Sequence, residues 1–395
     1  MYDYLLLLAL IMLSTKIFGL ITEKVHLPQV VGALIAGIVL GPSCIGILHE
    51  TDFLVKTSEI GVIMLMFIAG LDTDIEELKK TGFMSFIIAL MGVFVPLIVC
   101  AAVHYLFYGG MPNSIGLIES VFVGVIFSAT SVSITVETLN EMGKLKSRIG
   151  TTIIGAALID DIIGIVILSV VTGFGGSGSN PAMVVVKILE FFVFTGIVGF
   201  ITYKIFKMLD HDHAQSRRVA VWGLAFCFLL SYAAETFFGV ADITGAYFAG
   251  VILCNITKTR KELARKMTVA SYIIFSPVFF ASVGIKTDIS GVTTEILLFA
   301  VVLLAAAVLT KIIGCSFAAK ICGLNKNEAL SVGVGMVARG EVALMVAQKG
   351  INAGLIDGKI FPAIVLVVVC AALVTPILLK LVMSGKNEST AVETA

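Results

Sequence analysis

The sequence predicts an all-α polytopic membrane protein of about thirteen transmembrane helices, built as inverted-topology repeats with two broken, crossing helices. Three observations carry that prediction. Hydrophobic residues make up 58% of the 395 and charged residues 14%, against roughly 45–50% and 25% in a soluble domain. Apolar runs of about 20 residues recur along the chain, each long enough to cross a hydrocarbon layer roughly 30 Å thick. They are continuous, whereas a membrane β-barrel alternates over segments of about 10 residues. Finally, pieces of the first half recur in the second.

The spans fall at about 4–22, 28–41, 55–71, 81–107, 119–139, 149–172, 182–203, 217–238, 240–254, 267–284, 294–319, 328–348 and 360–382. The opening "MYDYLLLLALIML" has no basic leader, so it reads as a retained first span rather than a signal peptide. Connections are short, and about a dozen residues follow Met383, with no room in this chain for a soluble domain. If the N-terminus is outside, nineteen Lys and Arg lie in inside segments and four in outside ones. The positive-inside rule then predicts a cytoplasmic C-terminus.

Formal net charge is zero, which offers nothing to nucleic acid. Seven cysteines form no CxxC pair, so neither a disulfide framework, a zinc site nor any other cofactor is expected.

The repeat begins in the second and ninth spans, "VGALIAGIVL" (31–40) and "TGAYFAGVIL" (244–253), at a shift of 213. "GLDTDI" (70–75) recurs as "GIKTDI" (284–289), and "SATSV" aligns with "VARGEV" at a shift near 209. Each pair is seven spans apart. An odd number makes the halves cross in opposite senses, as in inverted-repeat transporters.

Ionisable groups at mid-membrane are costly and mark function by default. Here they are Asp160 and Asp161 in "AALIDDIIGIVIL", Lys311 in "AVLTKIIG", and Arg339 and Glu341 in "GMVARGEVALMV". Lys16, Lys187 and Glu190 lie nearer span ends and can snorkel to the interface. Adjacent helical residues diverge by roughly 100°, so the two aspartates face different ways. One can pair with Lys311, the cation at similar depth. The other, desolvated, is a proton-exchanging group and a hard oxygen ligand for a small cation. In "FSATSVSIT" the hydroxyls of Ser128, Thr130, Ser131 and Ser133 crowd a helix that should be apolar. They either return hydrogen bonds to the backbone or mark a break matched by "GVGMVARGEV" in the other repeat. Arg339 and Glu341 would then offset the helix-end charges there or pair with each other.

These residues resemble the monovalent cation:proton antiporter superfamily, and within it the branch of bacterial sodium/proton antiporters with an aspartate pair. The resemblance covers nearly the whole chain, through "LPQVVGALIAGIVLGP", "MFIAGLDTDI", "SATSVSIT", "GAALIDDIIGI", "PVFFASVGIKTDI" and "ARGEVALMVA". It implies a multi-pass transporter of the inner cell membrane, not an enzyme, which forms a homodimer and moves a core against a scaffold. The implied scaffold is residues 1–75 and 217–284, the core 81–172 and 294–383, with 182–206 as linker and 384–395 as a cytoplasmic tail. By the same resemblance Asp161 binds sodium (or lithium) and protons, Asp160 pairs with Lys311, Thr130 and Ser131 flank the ion, and Glu341 stands by the second break. Asp-Asp with the lysine implies electrogenic exchange of two protons per sodium. Glutathione-gated potassium efflux relatives carry Gln-Asp and a C-terminal nucleotide-binding domain, and this chain has neither.

Potassium as cargo, or exchange without net charge, stays open at this point. An intramembrane aspartyl protease would need its two carboxylates on separate helices, and here they are neighbours. "HDH" (211–213) is a candidate pH sensor, and the basic stretch 258–266 suits anionic headgroups.

Overall fold

The computed structural model describes residues 3–25, 27–73, 75–108, 116–174, 181–209, 216–286 and 293–384. Among them the fold is all helical, with no strand. Ten helical stretches are long and apolar enough to cross a membrane. Two shorter apolar helices, α2 (Gln29–Leu40) and α10 (Asp242–Leu253), match the second and ninth predicted spans. The twelfth predicted span is a pair of short helices, α14 (Lys326–Gly335) and α15 (Glu341–Asn352). His211 and His213, Asp74, most of the second "KTDI" and the tail beyond 384 lie outside the described residues.

The helices form two packed groups. In one, α1 (Asp3–Lys24) lies on α2, α2 on α12 (Ser276–Ile285), and α3 (Asp52–Leu71) on α10, with α9 (Ser216–Ala233) and α11 (Thr257–Ala270) beside them. In the other, α4 (Ile75–Tyr108) packs against α5 (Leu117–Ser128), α7 (Arg148–Phe174) and α13 (Thr294–Ile321). There α13 also carries α14 and α16 (Phe361–Ser384). α6 (Val132–Glu141) touches both groups, and α8 (Pro181–Leu209) touches α7 and α10. The outward faces of α1, α4, α8 and α13 carry exposed Leu, Ile, Val and Phe, as lipid-facing surfaces do.

Polar caps start several helices at the ends of the spans. The Thr51 hydroxyl accepts the Leu54 N–H at 3.2 Å, and Thr293 does the same for Ile296 at 3.3 Å. Asn325 and Glu328 form a reciprocal capping box at α14.

The repeat reappears as repeated packing. A methyl group on Gly37 of α2 would meet the Ala281 carbonyl of α12 at 2.1 Å. Its mate Gly250 would meet the Phe67 carbonyl of α3 at 2.3 Å. Residues 34, 37, 67 and 70 map onto 247, 250, 281 and 284, and the contacts map with them. Gly284 abuts Leu34 as Gly70 abuts Tyr247. Glycine is required because the backbones touch, the small-residue packing of membrane helices.

Two helices depart from the predicted limits. α4 starts at Ile75 rather than 81 and runs 34 residues, about 51 Å at 1.5 Å per residue. The basic stretch 258–266 is helix, not loop: α11 runs through a π-turn at Ser271–Phe275 into α12. Both extensions carry polar residues beyond the apolar run, where backbone bonding continues while hydropathy falls. Asp72 closes α3 and pairs with Lys146 at 2.9 Å and Arg260 at 3.7 Å.

Candidate functional site: a buried charge cluster at two crossing helix breaks

Two helices break at the same place. α5 stops at Ser128 and α6 starts at Val132; Ala129 (φ −59°, ψ 139°) and Ser131 (φ −87°, ψ 103°) have left the helical region. α14 stops at Gly335 and α15 starts at Glu341. The breaks cross and bond: the Ser131 N–H donates to the Ala338 carbonyl at 2.8 Å, and the Thr135 hydroxyl to the Gly335 carbonyl at 2.8 Å. A side chain at Gly340 would strike the Ser131 hydroxyl at 2.6 Å, so the crossing needs glycine there.

A break at this depth leaves helix-end carbonyls without partners, which lipid cannot supply. Arg339 supplies them. Its fully buried guanidinium donates to the Phe127 carbonyl at 2.7 Å and to those of Met336, Val337 and Ala338 at 3.3–3.4 Å. One cation thus serves the C-terminal ends of α5 and α14, where the helix dipoles are negative. Glu341 is the first residue of α15; its side chain lies outside the described residues.

Beside the crossing, Lys311 of α13 is wholly buried. Its ammonium donates to the Thr130 hydroxyl at 2.8 Å and lies 3.2 Å from the Asp160 carboxylate. The Thr130 hydroxyl donates to Asp160 in turn. A buried ion pair survives only when its remaining valences are met, and Thr130 meets one on each partner. Gly92 of α4 makes the room: a methyl group there would lie 2.9 Å from the Cys315 sulfur and 3.3 Å from the Lys311 nitrogen.

Asp161 points elsewhere, as neighbours on a helix do. It lines a cavity of about 70 Å³ with Asp160, Ser128, Ala129, Gly164 and Ala241. Carboxylate and hydroxyl oxygens are the donors a small hard cation prefers. Among the described residues no cluster of three or more His, Cys, Asp or Glu could hold a resident metal.

Of the seven sequence candidates, Asp160, Lys311 and Thr130 come into contact, and Asp161 walls the adjoining cavity. Ser131 contributes a backbone bond, its hydroxyl lying 3.2 Å from that of Ser133. Arg339 satisfies the breaks. Sequence reasoning passed over Gly92 and over Glu137, a buried acid on α6. Glu137 falls inside the predicted fifth span, and its charge there is the signal that was available.

Known proteins resemble this chain over nearly its whole length. The chain is 36% identical to the Na(+)/H(+)-K(+) antiporter GerN of Bacillus cereus, over 98% of each chain. It is 40% identical to the probable Na(+)/H(+) antiporter GerT of the same organism, over 94% of this chain and 97% of that one. The sodium proton antiporter MjNhaP1 from Methanocaldococcus jannaschii shares the fold, with a TM-score of 0.70 at 18% identity over 96% of each chain. These relatives are transporters, not enzymes. Residues 7–385 match the model of the transmembrane sodium/hydrogen exchanger family, and the chain belongs to that family.

Proposed function

We propose that the chain exchanges cytoplasmic sodium or lithium for external protons by alternating access, with Asp161 as the ion- and proton-binding group. The observation that carries this reading is the division of labour between the two aspartates. Asp160 is engaged by Lys311 and Thr130, while Asp161 borders a cavity at the helix crossing. A cation entering beside Asp161 displaces its proton. The same arrival draws Asp160 from Lys311, which gives up a second proton, so two protons cross per sodium ion and the cycle moves charge. Thr130, freed from the pair, and Ser131 complete the oxygen shell, and Glu341 balances the second break. The thirteen-span count, the outside N-terminus, the homodimer and a core that moves against a scaffold belong to the same proposal.

The test is exchange in sealed proteoliposomes with an internal pH dye and an imposed proton gradient. Proton movement on adding sodium, altered by clamping the membrane potential to zero, supports the proposal. A second reading has its own support: GerN is named for potassium as well as sodium. Proton movement with potassium alone assigns potassium/proton exchange, and movement indifferent to the clamp assigns electroneutral exchange.

A further inference from the structure

α2 begins without a cap of its own. Pro28 precedes it and offers no side-chain acceptor, so the first N–H groups of the helix need a partner from elsewhere. Glu141, the last residue of α6, provides it from 112 residues away. Its two carboxylate oxygens accept the N–H of Gln29 at 2.7 Å and of Val30 at 3.1 Å.

The neighbouring contacts follow the same route. The Asn140 amide donates to the Tyr272 hydroxyl, which also bonds Glu137. Tyr272 sits in the π-turn between α11 and α12, and π-turns recur at functional positions. Lys146, in the turn after α6, reaches Asp72 at the end of α3. α6 and the turn after it are therefore tied to α2, to the end of α3 and to the π-turn before α12. A cavity of about 400 Å³ lies beneath, lined by Glu137, Glu141, Tyr272, Gln29, Lys16 and Ser276.

The repeat makes the opposite face a built-in comparison. There α10 takes the place of α2 and α15 that of α6. α10 is preceded by Ala241 and likewise has no side-chain cap, but there the nearest acid is its own first residue, Asp242, whose carboxylate accepts the Ile243 N–H at 2.7 Å. Ala241 beside it, with Val342 and Val346 of α15, lines the Asp161 cavity. The two ends differ in their ties: Glu141 reaches from α6 to α2 at one, while Asp242 bonds within α10 at the other.

We infer that Glu141 is a positioning residue for transport: by capping α2 it holds the moving core to the scaffold in one of the two access states and releases it in the other. This rests on the proposal that the core moves. It assigns Glu141 no contact with the transported cation.

The test uses the full chain in proteoliposomes of defined orientation. In E141A the tied state loses its bond. The ratio of the apparent KM values for the cation on the two faces should change severalfold, while the protein folds and stays monodisperse. E141D, which keeps the carboxylate, should restore part of the wild-type ratio. In a Q29C/E141C protein, oxidation should remove exchange in proportion to the crosslinked fraction measured by mass spectrometry, and reduction should restore it. An unchanged KM ratio in E141A makes Glu141 a helix cap only and overturns the inference. Full exchange by crosslinked protein overturns it too, together with core movement. Failure of the ion-site reading shows separately, as exchange that persists in D161N.

Discussion

Lys311 and Asp160 face each other at 3.2 Å with neither side chain exposed, and Thr130 bonds both. An ion pair this dry is unforgiving of single substitutions. K311A leaves a carboxylate buried without its cation and should destabilise the protein by about 3–5 kcal/mol. K311A/D160N, which removes both charges, should recover much of that loss. Thermal unfolding in detergent across the four-protein cycle measures the coupling. Losses that simply add in the double variant would mean that the pair does not stabilise the fold.

Charge movement tests the same lysine in function. A K311A protein that still exchanges cations should move less charge per cycle. Reversal potentials in proteoliposomes read this directly. Unchanged electrogenicity removes Lys311 from the proton count.

Asp161 lines the cavity beside the ion pair. D161N keeps the volume and removes the titratable charge. It should still fold and carry no exchange. Transport that survives rejects the assignment.

Arg339 should resist replacement. R339L leaves the carbonyls of Phe127, Met336, Val337 and Ala338 without their donor, at about 1–3 kcal/mol for each group left unsatisfied. We expect R339L to yield no folded protein. R339K should rescue partly, since an ammonium lacks the flat fork that reaches several carbonyls at once. The yield of monodisperse protein decides it, and a normal R339L yield would show the breaks are satisfied otherwise.

The repeat predicts paired glycine effects. G37A and G250A each push a methyl group into a facing backbone carbonyl, at 2.1 and 2.3 Å. Each should cost about 1–3 kcal/mol or more, as overpacking does. G196A, where the space is open, should be neutral. Melting temperatures of the three variants make the comparison.

How much was legible beforehand depends on the kind of signal. The spans were legible because lipid demands about 20 apolar residues per crossing, and runs of that length cannot be hidden. The broken spans were legible because hydroxyls, glycines and charges sat where apolar residues belong. The extra turns of α4 and the helical basic stretch were not, because polar helix beyond the membrane has no hydropathy mark. Gly92 was not either: one glycine among 38 says nothing until Lys311 stands beside it. Glu137 and Glu141 were visible as charges, but not the helices they face.

By itself, then, the sequence determined an all-helical membrane protein, its two repeats, its aspartate pair and the lysine opposite. These follow from local rules: hydropathy, charge cost and spacing along one helix. Only the tertiary structure decided which carbonyls Arg339 serves and where Glu141 reaches. Those choices depend on how helices far apart in the chain cross, and the distance between two such residues is written in the packing of every helix between them.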